Sequence, residues 1–125
     1  MLWNNKSSAN KTKDIGTIGE NIAANHLVKQ GLVEVMRNFN CRLGEIDLIM
    51  TDQQALVFIE VKYRKNSHFG SPSEMVTNQK QKRIIRSAQY YLQRNPKLSN
   101  KACRFDVISI QQSDIEWIKN AFDAF

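Results

Sequence analysis

Between Gly44 and Lys62 the chain sets two β-prone apolar runs on either side of a short polar turn, and it carries its acids inside those runs. Glu45-Ile-Asp-Leu-Ile-Met50 reads as one strand, Leu56-Val-Phe-Ile-Glu-Val-Lys62 as a second, and Thr51-Asp-Gln-Gln54 as the tight connection of a β-hairpin. Alternation along a strand puts Glu45, Asp47 and Ile49 on one face of the first, and Phe58, Glu60 and Lys62 on one face of the second. Facing residues of an antiparallel pair project to the same side. The register that sets Asp47 opposite Glu60 therefore gathers both acids at one point, and a slip of one residue would part them onto opposite faces.

Charges in a core are costly unless paired or bound to a metal. Two carboxylates at one point repel, and a hard divalent cation relieves the repulsion. Mg²⁺ takes one or two protein carboxylates and keeps waters for a substrate phosphate, so Asp47 and Glu60 are candidate ligands for Mg²⁺ or Mn²⁺. Lys62 falls beside them, where it can offset charge on a phosphate or orient the attacking water. A surface salt bridge from Lys62 to either acid would use the same residues. The apolar frame around all three favours a metal site.

The formal net charge is +6, and its distribution matters more than its size: from Lys62 through Arg104 there are 11 Lys/Arg and one acid, Glu74. A basic half beside an acidic pocket suits a polyanion whose phosphate approaches through a metal, which makes nucleic acid the expected partner. No apolar run approaches a membrane span and the N-terminus lacks the apolar region of a signal peptide, so the expected location is cytoplasmic and no membrane partner is expected. Cys41 and Cys103 lack metal-ligand spacing and are expected to be reduced, with Cys103 a small core residue in a strand.

Residues 1–12 are polar and expected to be flexible; residues 13–125 are expected to form one α/β domain. The pattern predicts a helix from about Asp14 to Gln30, capped by Thr12 or Asp14 and ended by Gly31. Within it Glu20, Ala23, Ala24 and Leu27 share a face. Glu20 is either a third carboxylate aimed at the sheet or a first-turn acid answering the helix dipole. Leu32 to Asn40 reads as the first strand. Gly44 serves a turn or bulge, and Glu45 is an auxiliary ligand candidate on the Asp47 face. After Lys62, Tyr63 to Gly70 is a basic, aromatic loop suited to phosphates and bases, with Arg64 and Lys65 in it. Ser71-Pro-Ser-Glu74 has capping-box form. A second helix, about Thr77 to Arg94, has a buried stripe of Ile84, Ile85, Ala88, Tyr91 and Leu92. A separate cationic stripe holds Lys80, Arg83, Ser87, Tyr90 and Arg94. Arg42, Arg64, Lys65, Lys80 and Arg83 are the candidate nucleic-acid contacts. Ala102 to Ile110 is a strand whose Asp106 either joins the site or fixes a neighbouring Arg. The segment from Ile115 reads as an edge strand ending in aromatics that closes the core or seeks a partner.

Asp47 followed by Glu60-Val61-Lys62 resembles the PD-(D/E)XK nuclease superfamily, with Ile46 where its proline usually stands. Gly16-Thr-Ile-Gly-Glu20, Asn38-Phe-Asn-Cys-Arg42, Gly44-Glu-Ile-Asp-Leu-Ile49, Phe58-Ile-Glu-Val-Lys62, Phe69-Gly70, Thr77-x-x-Lys80 and Arg104-Phe-Asp-Val107 together resemble the bacterial YraN family, grouped with archaeal Holliday junction resolvases. The resemblance implies a restriction-endonuclease-like fold, with a central mixed sheet of about five strands flanked by helices and the acids where the central strands open. It also implies Glu20 as a supporting acid, Lys80 and Arg83 near the site, DNA as the nucleic acid, branched or flapped DNA as substrate, and a homodimer. In that reading Asp47 and Glu60 hold Mg²⁺ or Mn²⁺, the backbone carbonyl of Val61 adds a ligand, and Lys62 assists the water. A non-catalytic nucleic-acid-binding module and a partner-dependent accessory protein are the alternatives.

Overall fold

The computed structural model describes residues 8–64 and 76–124. The central hairpin forms as its pattern predicts. Strands β2 (Gly44–Asp52) and β3 (Ala55–Arg64) pair antiparallel around Gln53 and Gln54, and the register runs from Asp52↔Ala55 to Leu48↔Ile59. One further step of that register reaches Asp47 and Glu60, so the acids take the register that gathers them. β1 (Val33–Cys41) adds antiparallel to β2, giving a three-stranded meander.

From β3 the chain crosses over through helix α2 (Asn78–Arg94) and a single 3₁₀ turn (Pro96–Leu98) to β4 (Ala102–Gln111). β4 lies parallel to β3, and β5 (Asp114–Phe122) returns antiparallel at the edge. The result is a mixed sheet in the order β1-β2-β3-β4-β5. Helix α1 (Ser8–Lys29) covers one face and α2 the other, an α/β arrangement of the expected restriction-endonuclease-like kind. Alternation sorts the core. Leu48, Met50, Val57 and Ile59 pack with Ala23, Ala24 and Leu27 of α1, while Ile49, Leu56 and Phe58 pack with Ile84, Ala88 and Tyr91 of α2.

Several local expectations need correction. α1 begins at Ser8, ahead of the expected start near Asp14, so Thr12 and Asp14 lie within the helix and not at its start. It ends at Gly31 as expected, where the Leu32 N–H returns to the Leu27 carbonyl. Ser87 is fully buried and does not belong to the cationic stripe, because α2 meets the β1–β2 turn there. Cys103 is exposed, because it lines an open cleft between α2 and the end of β5 instead of packing in the core. The two cysteines are free, as expected. Phe122 stacks on Phe105 at 5.1 Å, and Phe105 on Phe58 at 5.5 Å, so this tail aromatic closes the core. Lys65, His68, Phe69, Gly70 and the Ser71–Glu74 capping box lie outside the described residues, as does Phe125.

Candidate active site

The site begins where the β2–β3 ladder stops. Pairing ends at Leu48↔Ile59, while β3 continues to Arg64. The next β3 amide facing β2 is taken by a side chain: the Val61 N–H donates to Asp47 Oδ2 at 2.8 Å. The bond locks the Asp47 carboxylate into the gap between the strands. Glu60, next to it, is 5 % exposed.

One acid reaches this gap from α1 and another from the start of β2. Ligand oxygens of Glu20, Glu45 and Asp47 lie within 4.8 Å of one another. Glu20 is buried and Glu45 exposed. Two devices hold Glu20 there. Gly19, just before it, packs against the Tyr63 side chain of β3, and a Cβ on Gly19 would lie 2.8 Å from Tyr63 Cβ. Only glycine lets α1 approach that closely. Asn38 of β1 then donates from Nδ2 to Glu20 Oε1 at 3.0 Å, from a left-handed conformation (φ 52) that asparagine tolerates.

Cations reach the gap from α2. Thr77 caps this helix by accepting the Lys80 N–H at Oγ1 (3.1 Å), which sets Lys80 in the first turn. Lys80 Nζ lies 2.6 Å from Glu60 Oε2, and Lys62 Nζ approaches the same oxygen at 3.6 Å. Arg83, Asn40, Cys41, Gly44 and Ile84 complete a pocket of about 400 Å³ around Glu45, Asp47, Glu60 and Lys80. Gly44, at φ 153, keeps its wall close: an added Cβ would meet Ser87 Oγ at 3.0 Å.

The charges in this small space perturb one another. Burial, reinforced by the charges of Glu60, Glu20 and Glu45, pushes the Asp47 carboxyl up to about 8 against the pull of the Val61 amide. Burial also raises Glu20, which the Asn38 hydrogen bond only partly offsets. Lys62 is lowered by burial and by its neighbours Lys80 and Arg64, in spite of Glu60. Burial would lower Lys80 too, but its hydrogen bond to Glu60 and the Glu60 charge prevail and raise it. A hard, oxygen-seeking cation fits this donor set, because three crowded carboxylates, two of them reluctant to ionise, gain most from a nearby positive charge.

Asp47, Glu60, Lys62, Glu20, Lys80 and Arg83 thus converge. Arg42 does not; it lines a neighbouring cleft with Phe39, Tyr90 and Arg94, which adjoins the pocket at Asn40 and Cys41. Arg64 ends β3, where its carbonyl accepts the Gln112 N–H. Arg37 is tied to Glu34 at 2.7 Å and to Asn21. Asp106 fixes an arginine and lies outside the pocket. Fully buried, it accepts from Arg104 Nε (3.0 Å), Trp117 Nε1 (2.9 Å) and the Asn120 N–H (2.9 Å), and Arg104 continues to Asp52 at 2.9 Å. The network clamps β5 and the end of β2 onto β4. Asn38 and Asn40 enter the family resemblance within Asn38–Arg42 but carry no site role there; the structure gives them one, Asn38 on Glu20 and Asn40 in the pocket wall.

The family model described as "Uncharacterised protein family UPF0102" matches residues 19–110, a span that holds every acid of the site. Among curated relatives, a UPF0102 protein of Saccharophagus degradans is 52% identical over 112 residues, 90% of this chain and 95% of the relative. UPF0102 proteins of Lachnoclostridium phytofermentans and Coxiella burnetii are each 48% identical, covering 88% and 90% of this chain and 93% and 94% of their own lengths. Those names state no activity.

Proposed function

The chain belongs to the uncharacterised UPF0102 (YraN) family, and from the chemistry of its own residues we propose that it is a metal-dependent DNA endonuclease that hydrolyses phosphodiester bonds. The observation that carries this is the convergence of Asp47, Glu60 and Lys62, with Glu20 alongside, in the gap beyond Leu48↔Ile59. Asp47, Glu60 and the Val61 carbonyl would hold Mg²⁺ or Mn²⁺, with Glu20 and Glu45 as supporting acids. The ion supplies Lewis-acid polarisation of the phosphate and a more acidic water.

The protein supplies the rest. The Val61 N–H orients Asp47. Asn38 orients Glu20. Lys62, lowered by burial and neighbouring cations, is placed to take or steer the proton of the attacking water. Lys80 and Arg83 line the pocket as partners for the backbone phosphates, and Arg42, Arg64 and Lys65 extend the cationic surface. Branched or flapped DNA is the proposed substrate shape, on the kinship with junction resolvases.

One observation favours a second reading. The 2.6 Å Lys80–Glu60 pair already neutralises the acid, as a non-catalytic nucleic-acid-binding module or a partner-dependent accessory protein would require. Glu60→Ala separates the two. For the nuclease, cleavage of labelled DNA is lost while salt-sensitive binding persists; for a binding module, wild type and variant both bind and neither cuts.

A further inference from the structure

We propose that Lys80 is a built-in counter-cation that reserves Glu60 and limits the site to a single divalent ion; this rests on the metal-dependent reading above. Among the described residues, the acids whose ligand oxygens gather closely enough to hold a cation are Glu20, Glu45 and Asp47, and Glu60 is not in that group. Glu60 is the adjacent carboxylate, and one of its two oxygens is already taken: Oε2 carries Lys80 at 2.6 Å and Lys62 at 3.6 Å, which leaves Oε1 for the single ion. Four carboxylates around one gap are enough for two divalent ions, since a pair of ions about 3.5–4 Å apart is commonly held by carboxylates shared between them. Here the place of the second is taken by an ammonium.

Lys80 is built for that place. It lies in the first turn of a helix capped by Thr77, whose hydroxyl accepts the Lys80 amide, so its backbone position is fixed. Its side chain runs down to a carboxylate that is 95 % buried, while itself remaining 43 % exposed. The ammonium therefore stands between Glu60 and solvent, on the pocket wall it shares with Arg83 and Ile84. Lys62 alone does not neutralise that oxygen as closely. A lysine also differs from an ion in having no open coordination position, so Lys80 can bridge Glu60 to a phosphate oxygen without activating a second water. In this role Lys80 is a positioning residue: it fixes Glu60 and sets the number of metal ions.

The test is Mn²⁺ binding to the full chain without nucleic acid, by titration with electron paramagnetic resonance detection of free ion. Lys80→Met removes the charge, Lys80→Arg keeps it, and Lys82→Met removes an exposed charge from the same helix turn as a control. Melting curves confirm that each variant is folded. Wild type, Lys80→Arg and Lys82→Met are expected to bind a single Mn²⁺, and Lys80→Met to bind a second. A single ion in Lys80→Met, or two in wild type, overturns the inference and leaves the metal-dependent reading standing. No binding by wild type overturns that reading, and the role of Lys80 with it.

Discussion

Asp47 concentrates the electrostatic tension of the site in one carboxyl. Its value rises from 3.8 in the open chain to about 8 in the fold, so the folded protein holds the proton more tightly than the unfolded chain does. That stabilisation is complete below about 3.8 and disappears as pH climbs through about 8, and Glu20, raised as well, acts in the same direction. In EDTA the protein is therefore expected to lose stability between pH 5 and pH 8. Asp47→Asn, which keeps the neutral shape, is expected to flatten that loss and to melt about 4 °C or more above wild type at pH 8; calorimetry across the pH range checks it. Equal slopes in the two proteins would mean that Asp47 ionises normally. The same substitution is expected to cut cleavage by at least about 100-fold, as does removal of other groups that stabilise charge in a transition state. Asp47, Glu60 and Lys62 were legible in the sequence because the period of a strand and the shortness of the turn leave few registers. Asn38 was not, because its role depends on a left-handed backbone and on the approach of α1, and neither is encoded in local pattern. Lys80 could be placed near the site, but its bond to Glu60 depends on the crossover geometry of α2.

The elements of the fold hold the site by close approach and by one buried network. Gly19→Ala forces a Cβ to 2.8 Å from Tyr63, so α1 must lift and carry Glu20 away. Metal affinity is expected to fall by about 10–100-fold, the range seen when groups supporting a metal ligand are disturbed; calorimetric Mn²⁺ titration reads it, and unchanged affinity would show that Glu20 is no support. Asp106→Ala strips the partner from Arg104, Trp117 and the Asn120 amide at once. It is expected to cost about 3–5 kcal/mol, seen in urea unfolding, with no specific effect on metal affinity in protein that remains folded. Strands and the second helix are readable from periodicity, but the cap at Thr77 is not, because the pattern puts Thr77 inside the helix and the Ser71–Glu74 motif ahead of it has the stronger capping form. The start of α1 is not legible in the sequence, because Thr12 and Asp14 are cap-forming residue types that stand within a longer helix. Ser87 looked like part of a polar stripe, yet it fills the space that Gly44 leaves.

Across the molecule, α1 and β2 bring carboxylates to the gap, α2 brings cations, and β3 brings one of each in Glu60 and Lys62. Among the described residues no helix is long and apolar enough to cross a membrane. Affinity for DNA is expected to fall steeply with salt, and charge-removing substitutions at Lys80 or Arg83 to lower the slope of log K against log salt by about 1 each. Filter binding over a salt series checks this, and a salt-independent affinity would remove nucleic acid from consideration. Metal-dependent cleavage is read by a cutting assay on a panel of DNA shapes. Wild type, Glu60→Ala and Lys62→Ala are incubated with end-labelled duplex, single-stranded, flapped and four-way DNA in Mg²⁺, in Mn²⁺ and in EDTA. The expected result is cutting of branched or flapped DNA by wild type with either ion, none in EDTA, and none by the variants. Wild type that binds these DNAs but leaves all of them intact with both ions would contradict it.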